Sequence, residues 1–243
     1  MTARDATLLA CSPDLTLPER ANHRGHSITS PEVGGDAPRI PAYSDTGGSV
    51  AGYAPFYCEE NIYQLVSDRR SDDDWVVMIS NPQRTIALAH QRAGRPPDGI
   101  VIWDYHVVLV NRPVSPGADG RSGRPGAVLD PDTTLDAPAG SWLSAVDYIA
   151  GTFPFPVYPS HPDLLPELSL IPGGMYLDRF SSDRSHMRGQ DGEFLRPTPP
   201  WPSIWRPELG NTLFALVDGS DPGVSMRLGL VEFVAWLGAG PTE

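Results

Sequence analysis

A chain of 243 residues with 40% hydrophobic content can bury a sizeable core, and that length most often forms one domain with or without an extension. Its formal charge of −12 repels nucleic acid and anionic membrane surfaces, so neither is an expected partner, and a cationic substrate fits better. Two cysteines, Cys11 and Cys58, make neither a CxxC site nor a disulfide framework, which suits a reducing cytoplasm.

Residues 1–50 scatter Pro, Gly, Ser and charge with no sustained period beyond 6–10, which predicts a flexible N-terminal extension ahead of a domain over 51–243. No run approaches the roughly 18 apolar residues of a membrane span, and the N-terminus lacks the order of a signal peptide. All 18 basic residues are arginine, a pattern that codon bias in a GC-rich genome explains. Order is expected from Tyr53. From Cys58 the positions Ile62, Leu65 and Val66 recur at helical spacing behind Glu59 and Glu60, acids suited to a helix N-terminus, so Cys58 should open a helix.

Residues 75–80 read as a strand ended by a turn at Asn81-Pro82, and 100–110 as a central strand interrupted in polarity only by Asp104 and His106. A Gly/Pro-rich loop over 113–125 then leads to a shorter strand over 127–130, making a hairpin. Residues 142–151 are expected to be helical. The prolines of 154–172 predict an irregular surface crossing. Helices are expected over 213–217 and 228–237, the second with Leu228, Val231, Val234 or Ala235 and Leu237 inward. The sum is an α+β domain, a sheet packed on helices.

A cysteine at a helix start has its thiolate favoured by exposed backbone N–H groups and the helix dipole. Glu59 and Glu60 oppose this, so a cationic imidazole is needed, and His106 can supply it. Strand alternation puts Asp104 and His106 on one face. An imidazole between a thiol and a carboxylate is the usual nucleophile arrangement, and the hairpin returns Asp130 and Asp132 as candidate acids. His186, within a Ser-Asp-Arg-Ser-His-Met segment, is read as part of a loop clamped by charge-assisted hydrogen bonds, and His90 and His161 as surface residues.

Four blocks carry a resemblance: Tyr-Cys-Glu-Glu-Asn-Ile at 57–62, Ile-Ser-Asn at 79–81, Val-Ile-Trp-Asp-Tyr-His-Val-Val-Leu at 101–109 and Ser-Asp-Arg-Ser-His-Met at 182–187. In order and spacing they resemble the protein N-terminal glutamine amidohydrolase family. The resemblance implies a papain/transglutaminase-like fold, antiparallel sheet packed on helices, with the nucleophile at a helix N-terminus. It also implies a Cys58, His106 and Asp130 triad with no cofactor and no metal. The activity it implies is hydrolysis of the side-chain amide of an N-terminal glutamine to glutamate and ammonia through a thioester. The product would feed an N-degron route in the cytoplasm, the enzyme acting as a monomer on proteins or peptides. Glu59, Glu60 and Asp104, the acids nearest the triad in sequence, are the candidates for binding the substrate's α-ammonium. The chain departs from the family at Pro131, between the two acids, and in a longer arm and hairpin loop. The competing expectations are a deamidase or transglutaminase acting on internal glutamines and a non-catalytic module that binds N-termini.

Overall fold

The computed structural model describes residues 53–96, 98–112, 126–136, 141–221 and 223–238, together with the backbone of a two-residue ladder pairing β1 (Ser44–Asp45) with β2 (Gly48–Ser49). The rest of the expected flexible extension over 1–50 and the loop over 113–125 lie outside the described residues. Among the described residues no helix is long and apolar enough to cross a membrane.

The fold is α+β, as expected. Helix α1 (Cys58–Arg69) is followed by β3 (Asp74–Ser80), the short β4 (Ile86–Leu88) and β5 (Val101–Trp103), then β6 (Tyr105–Asn111) and β7 (Ala127–Leu129). β8 (Leu143–Ser144), α2 (Ala145–Thr152), β9 (Glu167–Pro172), α3 (Gly173–Arg179), α4 (Leu213–Val217), β10 (Met226–Gly229) and α5 (Leu230–Trp236) complete it. Six strands form an antiparallel sheet in the order β10-β9-β3-β6-β7-β8, and β4 pairs with β5 apart from it.

Helices cover both faces of the sheet, which is why its central strands read as continuous apolar runs. Successive side chains of a strand point to opposite faces. Val76, Met78, Tyr105, Val107 and Leu109 pack with α1, α3 and α4, whereas Val77, Ile79, Val108 and Val110 pack with α2, α5 and the β4–β5 ladder.

Four elements differ from expectation. The strand over 100–110 breaks at Asp104, where the Tyr105 N–H turns to Asp104 Oδ1 (3.0 Å) and the Ser80 hydroxyl donates to the Asp104 carbonyl (2.7 Å). A local side-chain acceptor here displaces the ladder bond, so β5 and β6 belong to different sheets and simple alternation from Asp104 to His106 does not hold. The stretch 154–172 ends in β9, a buried strand between β3 and β10. Its prolines flank it, Pro166 before and Pro172 as its last residue, leaving Glu167–Ile171 free to pair.

Within 142–151, β8 precedes α2, because Ser144 caps the helix by accepting from the Asp147 N–H. The last helix begins two residues late. Leu228 lies on β10, and Glu232 turns back to the Gly229 N–H (2.6 Å) to start α5 at Leu230. The inward residues are therefore Leu230, Phe233 and Leu237, while Val231 is 81% exposed.

Candidate active site

α1 packs against β6, and its first residue is Cys58. The entry to the helix is pinned by Asn61, whose Oδ1 accepts from the Ala54 N–H (2.9 Å) and whose Nδ2 donates to the Ala54 carbonyl (2.8 Å). Phe56 adopts a left-handed backbone (φ 67°) to make the turn, an uncommon state for a bulky residue. β7 pairs only with Leu109–Asn111 of β6, so the β6 edge nearer His106 is left to other partners. The Val107 N–H there serves the Cys58 sulfur.

His106 is the second residue of β6 and is fully buried. Its Nε2 lies 3.0 Å from Asp130 Oδ1, just past the end of β7. A ring that donates from Nε2 to a carboxylate carries its basic lone pair on Nδ1. Trp103 stacks on the same ring, centroids 5.7 Å apart and planes at 19°.

Asp130 is held on every side. Its Oδ1 also accepts from the Asp132 N–H (2.9 Å), and its Oδ2 accepts from the Tyr148 hydroxyl (3.0 Å) and from Gln91 Nε2 (3.4 Å). Burial pushes its carboxyl up, but the charge of His106 and these hydrogen bonds outweigh burial and hold it below the usual range. Asp132 goes the other way. Burial, then the neighbouring Asp130 charge, raise its carboxyl despite the facing His106. Of the two acids in Asp130-Pro131-Asp132, Asp130 is the one bonded to the imidazole.

The thiol of Cys58, 1% exposed, is raised well above its ordinary range by burial and then by Glu59, Asp132 and Asp104, against the lowering effect of the Val107 N–H. These influences favour the neutral thiol over the thiolate. Among the described residues, His106, Asp130 and Asp132 offer ligand atoms within 4.8 Å of one another. The four hydrogen bonds on Asp130 fill its oxygens, so this trio fits a hydrogen-bonded relay better than a cation cage.

The three acids singled out in the sequence have different surroundings. Glu59 Oε2 lies 3.6 Å from the Cys58 sulfur and its Oε1 3.4 Å from His186 Nε2. Asp104 acts on the thiol through its charge. Glu60 is engaged elsewhere: Arg184 donates to both of its oxygens at 2.7 Å, and the Trp201 indole donates to Oε2 at 2.7 Å. The expected clamp around 182–187 thus exists, but Arg184 reaches α1 while Asp183 accepts from the Ser185 N–H and Asn211.

His186 is closer to the site than expected, with Nε2 3.3 Å from the Tyr105 hydroxyl as well as near Glu59. Gln91, Tyr148 and Tyr53, which donates to Asp132 Oδ1, were not anticipated. Trp103 at least lies inside the block 101–109; a tyrosine in an apolar helix or a glutamine in a loop carries no signal of its own.

Comparison with known proteins gives the family. A family model described as N-terminal glutamine amidase matches residues 53–229. A protein N-terminal glutamine amidohydrolase of Drosophila mojavensis is 34% identical over 204 residues, covering 78% of this chain and 89% of that protein. The same-named protein of Drosophila ananassae is 36% identical over 197 residues, covering 75% and 86%. With the match spanning every element from α1 to β10, the chain belongs to the N-terminal glutamine amidase family.

Proposed function

We propose that this protein hydrolyses the side-chain amide of an N-terminal glutamine, with Cys58 as nucleophile, His106 as general base and acid, and Asp130 as the group that fixes the imidazole. The observation that carries the reading is the 3.0 Å contact of His106 Nε2 with an Asp130 that Tyr148, Gln91 and the Asp132 N–H also hold, together with a helix-opening thiol served by the Val107 N–H of the same strand. The names of the relatives supply the substrate. A papain/transglutaminase-like arrangement, helix-borne cysteine against strand-borne histidine, is the fold this chemistry favours, and residues 51–243 form its catalytic unit with 1–50 as an extension.

His106 Nδ1 takes the thiol proton as sulfur attacks the carboxamide carbon. The oxyanion rests on backbone N–H groups at the start of α1, which have no acceptor within the helix. Protonated His106 hands its proton to the departing nitrogen, giving ammonia and a thioester. It then deprotonates a water that releases the N-terminal glutamate and the thiol. Asp130 stabilises the imidazolium at each stage. Of the acids flanking the thiol, Glu59 and Asp104 contribute negative potential favourable to an ammonium, while Glu60 serves Arg184.

Ammonia release from a Gln-initiated peptide tests the reading. Cys58→Ala and His106→Ala should each abolish turnover with the melting temperature preserved, because the two groups act as a unit. Turnover surviving either substitution would remove that residue from the mechanism.

A further inference from the structure

The same cluster contains an acid that the mechanism above does not use. Asp132 spends its backbone N–H on Asp130 Oδ1 and its carbonyl on the Arg92 N–H (2.8 Å). Its Oδ1 accepts from the Tyr53 hydroxyl. Arg92 lies near enough for its charge to be felt, yet its Nε–H goes to the Pro131 carbonyl at 2.9 Å. Among the described residues Tyr53 is the one side chain that donates to Asp132, and the second oxygen is not one of the fully enclosed polar atoms left without a partner, so the 5% of the residue still exposed leaves that oxygen reachable from the site. Buried carboxylate oxygens are ordinarily filled, because desolvation without a partner is costly. Asp130 and Glu60 have every oxygen engaged, which leaves Asp132 the less committed of these carboxylates.

The position of this oxygen says what would fill it. Asp132 lies within 4.8 Å of the ligand atoms of both His106 and Asp130, and its charge falls on the Cys58 thiol. It therefore borders the space in which a carboxamide must sit. In an extended glutamine the α-nitrogen and the side-chain carboxamide carbon are about 5 Å apart, so a carboxamide at the thiol places the ammonium among the acids that surround it.

We propose that Asp132 is the specificity residue that binds the free α-ammonium of the substrate, with Tyr53 holding its other oxygen in place. The inference rests on the amidase reading and deepens it: it names the group that separates a terminal from an internal glutamine. An internal or acetylated glutamine has an uncharged amide at this point and leaves the oxygen unfilled. The upward push on the Asp132 carboxyl in the empty site is of the kind a bound cation reverses.

The test compares kcat/KM on a Gln-initiated peptide and on its N-acetylated form, in the unmodified protein and in Asp132→Asn, Glu59→Gln and Asp104→Asn. The unmodified protein should favour the free amine by about 30-fold or more, the scale of losing one partner of a buried charge pair. Asp132→Asn should bring that ratio to within about threefold, with the loss falling on KM for the free peptide. Equal losses on both peptides, leaving the ratio intact, overturn the proposal, since a merely structural role would do that. So does a collapse of the ratio in Glu59→Gln or Asp104→Asn but not in Asp132→Asn.

If thermal unfolding shows that Asp132→Asn is not folded, Tyr53→Phe takes its place. It leaves the charge and loosens its hold, and must raise KM for the free peptide while sparing the acetylated one; an unchanged KM counts against the proposal. Failure of the underlying reading looks different. The unmodified protein would then release ammonia from neither peptide, or from both at equal rates.

Discussion

The buried pair of Arg184 and Glu60 offers a prediction whose size can be worked from geometry alone. The guanidinium grips the carboxylate through two 2.7 Å bonds, with the Arg184 side chain 7% and that of Glu60 0% exposed. Arg184→Ala leaves Glu60 buried with only the Trp201 indole as donor, and breaking a buried pair from one side costs about 3–5 kcal/mol. At roughly 2–4 °C per kcal/mol for a domain of this size, the melting temperature should fall by about 6–20 °C. Burial pulls the Glu60 carboxyl up against the opposing effect of Arg184, so the pair as a whole is not strongly stabilising. Arg184→Met combined with Glu60→Gln should therefore recover much of the loss. Differential scanning fluorimetry at neutral pH reads both. A fall of less than 2 °C in Arg184→Ala, or a double variant no more stable than the single one, would refute the view that these groups act as a desolvated charge pair.

Asp130→Asn should lower kcat/KM about 10- to 150-fold, the loss of one hydrogen bond to a charged imidazolium at roughly 1.5–3 kcal/mol; full activity in a folded variant would remove Asp130 from the triad. Because burial and nearby acids push the Cys58 thiol up, its iodoacetamide labelling should accelerate only as the pH rises above about 9; rapid labelling at neutral pH would refute this. Glu59→Gln should speed labelling at neutral pH by roughly tenfold or more, since a like charge at this range disfavours the thiolate, whereas Glu60→Gln should not; equal effects would contradict the geometry. Deleting residues 1–45 should leave the melting temperature and small-peptide turnover nearly unchanged, because that composition holds too few apolar positions to build core.

Local signals carried the parts of the fold that are locally determined. The helix opened by Cys58 and the strand over 75–80 were legible because periodicity and turn residues agree there. His106 could be read as a strand residue, and Asp130 as returning beside it, because a hairpin fixes the neighbour of a strand. What failed was decided by single hydrogen bonds or by tertiary pairing. Asp104 breaks a run that looks continuous because its own carboxylate captures the next N–H. β9 was hidden among prolines that in fact stop at its borders. The start of α5 was displaced by the Glu232 cap. Within the site, the supports of Asp130 were out of reach: Gln91 and Tyr148 arrive from a loop and a helix 39 and 18 residues away in sequence, and nothing in their composition announces a partner.

The electrostatics of the site bear on how such an enzyme stores its reactivity. A helix N-terminus alone would favour a thiolate, and by sequence Glu59 and Glu60 were both set against it. The structure changes the membership of that opposition: Glu60 is neutralised by Arg184, and the charges that reach the sulfur are those of Glu59, Asp132 and Asp104. Three acids around one buried thiol make a preformed thiolate–imidazolium pair costly at rest. An ammonium bound at Asp132 would cancel one of the three charges and ease deprotonation when a terminal glutamine is in place. The acidity of the whole chain thus has a local counterpart, in which a carboxylate that restrains the nucleophile would, on the proposed role of Asp132, also recruit the cation that releases it.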